Sequence, residues 1–356
     1  MMKHGDMGVS RPAETRSFGA RDWIIVFLLV MASIQCIRGC YCVNSSSLDW
    51  RTYAHGTAKL PYQGRVGMIG VLRWAEGSPL MIRGAAKLDR MDVGRYPEPM
   101  TVEKFTSLLA AILSMLLMLA FMIRFSLRHG YRPWWLPSVL MLAISFITLS
   151  VRCESMEWTP YDVPQALLFG VAVLCALDRQ WYFVLPLFMV DVPWRETSIF
   201  LIAVCVPLFY TSEAVAWRQS RVRTIQTALL AIGMGTYWAL VRHAIQVRYA
   251  HNGNDAYIHY SNNIHALMLP HHWPQMLGAG GYFLVFILLE RSLASPRQRL
   301  ILYSFLVCLP VILLYGVWVE LRIWVEWTLP WSAIAASELQ SYLRAGPETP
   351  KGYVLS

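Results

Sequence analysis

Ionisable side chains gather at three places in an otherwise apolar chain. Asp49 opens the segment Asp49-Trp-Arg-Thr-Tyr53, which is followed by Leu60-Pro-Tyr-Gln-Gly-Arg65. Asp191, Arg195 and Glu196 lie close together, and so do Glu320, Arg322 and Glu326. A carboxylate near a hydroxyl can take its proton, and a guanidinium fork can hold a phosphate through two parallel N–H bonds. Asp191 to Arg195 and Arg322 to Glu326 each have i, i+4 spacing, so each pair could be a local helical ion pair that anchors a helix end. Charges at membrane depth are expensive and mark functional sites by default. Three such groups converging on one face argue for a shared cavity.

The elements that position these groups follow from hydropathy. Of 356 residues, 56% are apolar and 15% charged, against roughly 25% charged in an ordinary soluble domain. A soluble enzyme, a disordered chain and a β-barrel porin are excluded. Apolar runs long enough to cross about 30 Å of hydrocarbon recur along the length. They predict about ten spans, at 23–37, 105–122, 134–151, 163–177, 181–190, 197–210, 224–245, 275–289, 300–319 and 327–343. The fold class is therefore all-α, a polytopic transmembrane helical bundle. Residues 1–343 form one membrane domain, and 344–356 a loose cytoplasmic tail. The first span follows Lys3, Arg11, Arg16 and Arg21 with no small-residue cleavage site, and reads as an uncleaved signal anchor.

Charge orients the spans. The net charge of +9 matches Lys and Arg accumulating in cytoplasmic loops, and implies no nucleic-acid partner. The loops at 124–132, 218–223 and 291–299 each hold three Arg, whereas Arg152, Arg195, Arg248 and Arg322 stand singly in the short loops of the other side. All three acidic groups then lie outside. The long exterior loop at 40–103 contains a stretch, Val66 to Trp74, that suits a short amphipathic helix on the membrane surface, with Arg65 and Arg73 beside Met68, Ile69 and Leu72. Gly64 and Gly67 leave the centre of this loop loose.

Other chemistry is absent from the sequence. No phosphate-binding Gly-rich motif, dinucleotide fingerprint or His-Glu-x-x-His zinc motif occurs. Among seven cysteines there is no Cys-x-x-Cys pair, and a bridge from Cys153 to Cys40 or Cys42 stays open. The His-rich loop at 246–274, with Asp255 and His259 four apart, matches no specific metal motif and reads as solvated.

Three segments together resemble the motifs of bacterial multi-pass glycosyltransferases of the GT-C superfamily. Asp49-x-x-x-Tyr53 with Pro61-Tyr-Gln-Gly-Arg65 is similar to their first-loop signature. Trp194-Arg-Glu-Thr-Ser198 is similar to the segment that opens a mid-chain span, and Glu320-Leu-Arg322 with Glu326 and Pro330 to their late exterior motif. The resemblance implies a GT-C-like bundle in the bacterial inner (cytoplasmic) membrane that moves a sugar from a polyprenyl-phosphate carrier to an acceptor on the exterior face. It implies Asp49 as the catalytic acid–base residue. It implies substrate contacts from Tyr53, Arg65, Asp191, Arg195, Glu196, Glu320 and Arg322, and it leaves a divalent metal open. A transporter or non-catalytic membrane subunit, and a polysaccharide polymerase, fit the composition as alternatives.

Overall fold

The computed structural model describes residues 18–43, 48–60, 62–91, 99–150, 159–211, 217–253, 259–278, 282–289, 294–315 and 321–345. Among these residues 84% are helical and none forms a strand, which makes the fold all-α. In chain order the helices are α1 (Ala20–Val43), α2 (Trp50–His55), α3 (Ile69–Glu76), α4 (Pro79–Met91), α5 (Val102–Arg128), α6 (Leu136–Ser150), α7 (Asp162–Leu177) and α8 (Trp181–Asp191). They continue as α9 (Phe200–Tyr210), α10 (Trp217–Arg248), α11 (Tyr260–Met268), α12 (Trp273–Leu277), α13 (Phe283–Leu289), α14 (Pro296–Tyr315) and α15 (Thr328–Ala345).

Among the described residues, four helical stretches are long and apolar enough to cross a membrane: Ala20–Tyr41, Val102–Arg128, Arg221–Arg248 and Pro296–Tyr315. The 27 residues of α5 rise about 40 Å, more than the hydrocarbon thickness. On α10, Ile225, Leu229, Ile232 and Leu240 are all exposed, which a helix bathed in lipid tolerates and a water-facing one does not. Shorter apolar helices α6 to α9 complete the bundle.

The centre is α15. Trp327 and Trp331 stack at 6.1 Å, and Phe305 of α14 meets their ring edges at 5.0 and 5.2 Å. Phe169 of α7 closes the other side of Trp327 at 5.2 Å. Such edge-to-face contacts fix ring orientation beyond what area burial alone does. Gly170 lets α7 approach α15, since a Cβ there would lie 2.7 Å from Leu329 Cδ1.

Helix α8 has 11 residues and rises only about 16 Å. With the turn at 192–195 it nevertheless retraces the whole of α7, because Arg195 returns to Asp162 at the start of that helix. The segment expected to span at 275–289 is instead two short helices, α12 and α13. Gly278 ends α12 and Tyr282 ahead of α13 is left-handed at φ 67°, so the described residues on both sides leave the helix.

The first loop is more structured than the sequence suggested. The Val66–Trp74 stretch is a 3-10 turn, Val66–Met68, running into α3. Met68, Ile69 and Leu72 face inward and are buried, and α3 packs on α5, while Val71 and Trp74 stay exposed. Helix α4 also packs on α5, with Gly84 admitting the Phe105 ring.

Candidate functional site

Two ion networks meet at the Arg195–Glu196 peptide, at the end of the bundle covered by the first loop. The first is built around Glu196. Arg65 grips it with both arms, Nη2 at 2.6 Å from Oε1 and Nε at 3.3 Å from Oε2. Arg65 Nη1 also donates to the Tyr161 hydroxyl at 2.8 Å, and the Tyr53 hydroxyl donates to the Arg65 carbonyl. Arg242 of α10 reaches Glu196 at 3.5 Å and donates to the Gly64 carbonyl at 2.7 Å. Burial alone would raise the Glu196 carboxyl, but Arg65 and then Arg242 outweigh it and hold it at about 2. Glu196 is the opening of this network: its side chain is 37% exposed, against 10% for Arg65.

The second network is fully enclosed. Arg195 Nη1 lies 3.1 Å from Glu326 and 3.5 Å from Asp162. The Thr197 hydroxyl donates to Glu326 at 2.5 Å. Asp191 has no exposed surface, and neither of its oxygens has a hydrogen-bond partner; Glu326, Gln165 and Arg195 surround it. Burial pushes the Glu326 carboxyl up, against Arg195 and Thr197, which hold it down. Across both networks the named carboxylates Asp162, Asp191, Glu196 and Glu326 face the guanidinium groups of Arg65, Arg195 and Arg242. Among these acids Asp191, fully buried, is the one without an ion pair.

The local sequence explains this geometry. Asp191 ends α8, and Arg195 is extended at φ −158°, ψ 149°. Helical i, i+4 spacing therefore fails, and Arg195 turns to Asp162 and Glu326 from other helices. The expected local pair is replaced by a tertiary one. Arg65 departs from expectation in the same way: it is buried and ion-paired, not spread on a membrane surface. Nor is the loop centre loose. A Cβ on Gly67 would lie 2.3 Å from Trp194 Cδ2, so the glycine is what lets the first loop seat on Trp194, one residue before Arg195.

Asp49 caps α2. Its Oδ1 accepts from the Arg51 amide at 3.0 Å and the Thr52 amide at 3.4 Å, and the residue is exposed. Tyr53, four residues on, is completely buried. Glu320 lies outside the described residues, as does the side chain of Arg322, although its backbone belongs to the 3-10 turn Leu321–Trp327. Cys153 and Asp255 also lie outside them, as does the side chain of Cys42. Sequence reasoning missed Arg242, Tyr161, Asp162 and Gln165 as site residues. Arg242 carried a signal, being an arginine within the apolar run 224–245.

Among the described residues no group of three or more His, Cys, Asp or Glu could hold a metal ion. No protein-family model, curated protein or solved structure matches this chain. The functional reading therefore rests on its own residues.

Proposed function

We propose that this chain is a multi-pass glycosyltransferase of GT-C type in a bacterial inner membrane, taking a sugar from a polyprenyl-phosphate carrier. One observation supports it above the others. The three segments that carry the resemblance are far apart in sequence yet touch: Arg65 of the first loop holds Glu196, 131 residues away, and Arg195 beside it holds Glu326.

In this reading the arginines neutralise the charge that builds on the carrier phosphate as the glycosidic bond breaks. Arg65 and Arg242 exchange part of their hold on Glu196 for phosphate oxygens, and Glu196 sits where the network opens. Asp49 keeps α2 capped through Oδ1, and its carboxylate orients the acceptor hydroxyl and takes its proton. Tyr53 and Tyr161 hold Arg65 in position. The inward-facing charges would be costly as ornaments, because a buried pair commonly contributes no more than a well-packed apolar substitute.

A second reading, a non-catalytic membrane subunit, is favoured by one specific observation: both described contacts of the Asp49 carboxylate are to amides of its own helix. Transfer of a radiolabelled sugar from a polyprenyl-phosphate donor, measured with the purified protein and its Asp49→Asn variant, separates the two. Transfer by the wild type that the variant loses supports the enzyme. A folded wild type without transfer from any polyprenyl-phosphate donor supports the subunit.

A further inference from the structure

The other end of α7 carries a second charged cluster that the proposed chemistry does not use. The 16 residues of α7 put it about 24 Å from Asp162. There Asp178, with a side chain only 7% exposed, is held by His129 at 2.6 Å and Arg128 at 3.3 Å. That carboxylate is already taken. Arg297, at the start of α14, donates Nη2 to the Ala176 carbonyl at 2.7 Å. Its Nε and Nη1 are buried and have no hydrogen-bond partner. The Arg179 amide donates to the same Ala176 carbonyl at 3.1 Å, which sets this residue next to Arg297. Arg179 is exposed and in the left-handed region at φ 62°, and Asp178 is the acidic neighbour of Arg297. Neither Arg179 nor Arg297 has a carboxylate within 4 Å among the described residues.

Two guanidinium groups with donors to spare, one of them partly buried, form half of an anion site. The surface next to them is apolar. Immediately after Arg179, Tyr182 and Phe183 are 70% and 50% exposed with ring centroids 4.4 Å apart, and the exposed face continues along α8 through Leu185, Met189 and Val190. A cation pair at a helix end above a lipid-facing apolar stripe matches one chemistry. We infer that Arg179 and Arg297 bind the phosphate of an anionic phospholipid headgroup, with its acyl chains lying along α8. Basic pockets between membrane helices take such headgroups, and rings at the headgroup level suit the interface.

The test is thermal unfolding of the purified protein in a neutral detergent with added phosphatidylglycerol, phosphatidylcholine or inorganic phosphate. Phosphatidylglycerol should raise the midpoint of wild type and phosphatidylcholine should not. The rise should fall by at least half in Arg297→Gln and in Arg179→Gln, and persist in Arg83→Gln on exposed α4. The Arg179 side chain makes no hydrogen bond or ion pair among the described residues, so its variant carries the test if Arg297→Gln is unstable. Equal shifts in wild type and Arg179→Gln overturn the site. An equal shift from phosphatidylcholine overturns the charge recognition, and one from inorganic phosphate alone overturns the lipid. None of these readouts depends on sugar transfer.

Discussion

Arg65 Nη2 lies 2.6 Å from Glu196 Oε1, and this bond fastens the first loop to the turn between α8 and α9. Arg242 on the Gly64 carbonyl, Asn252 on the Gly56 and Ala58 carbonyls, and α3 and α4 on α5 hold the loop at other points. Through this pair and the neighbouring Arg195, a segment near the amino terminus is coupled to α7, α10 and the approach to α15.

The seating of that loop depends on a glycine. Gly67→Ala drives a Cβ into the Trp194 ring, and overpacking of this kind costs about 1–3 kcal/mol. Gly70→Ala, in α3 with nothing within 4 Å of its Cβ, should be neutral or stabilising by up to about 1 kcal/mol. Thermal unfolding of both variants checks this. Equal stability of the two would mean that Trp194 moves aside freely.

Arg195 is the strut of the enclosed network. Its removal in Arg195→Gln takes the cation away from Glu326 and Asp162, whose side chains are 1% and 4% exposed. Removing one partner of a buried ion pair costs about 3–5 kcal/mol. A denaturation midpoint within error of wild type would show that these carboxylates are neutral and need no partner.

Glu196 gives a pH signature. Its carboxyl sits at about 2 when folded, against an ordinary 4.5, so the folded protein binds this proton more weakly than the unfolded chain. Its stabilising contribution is full above 4.5 and is lost as pH falls through about 2. The stability difference between wild type and Glu196→Gln should therefore be constant from neutral pH down to 5 and shrink at more acidic pH. A difference that grows on acidification contradicts the pairing with Arg65.

Of the ten expected spans, four were legible as long apolar helices among the described residues: α1, α5, α10 and α14 fall where hydropathy places them. The end of the bundle that carries the charges was legible too, since Asp191, Arg195, Glu196 and Glu326 lie between spans. Their partners were not. Arg195 sits four residues after Asp191, yet its extended backbone sends it to Asp162 and Glu326, a choice made by tertiary packing. Arg65 read as an interfacial cation because nothing local reveals that Glu196 awaits it. Gly67 read as slack for the same reason: the ring that fills its space is more than a hundred residues away.

Asp49 tests the role of the cap. Asn caps a helix as well as Asp does, whereas Ala costs about 0.5–2 kcal/mol. Asp49→Asn should thus unfold like wild type while its transfer rate falls about 10²- to 10⁴-fold, the usual cost of losing a general base. Unchanged transfer would leave Asp49 as a structural cap alone.

In the proposed function the network joining Arg65, Glu196, Arg195 and Glu326 serves a polyprenyl-phosphate substrate. Mass spectrometry of lipid extracted from the purified protein checks this. A polyprenyl phosphate, free or carrying a sugar, should accompany the wild type and be lost from a folded Arg65→Gln variant. Bulk phospholipid alone in the wild type, or the same polyprenyl content in both proteins, would contradict it.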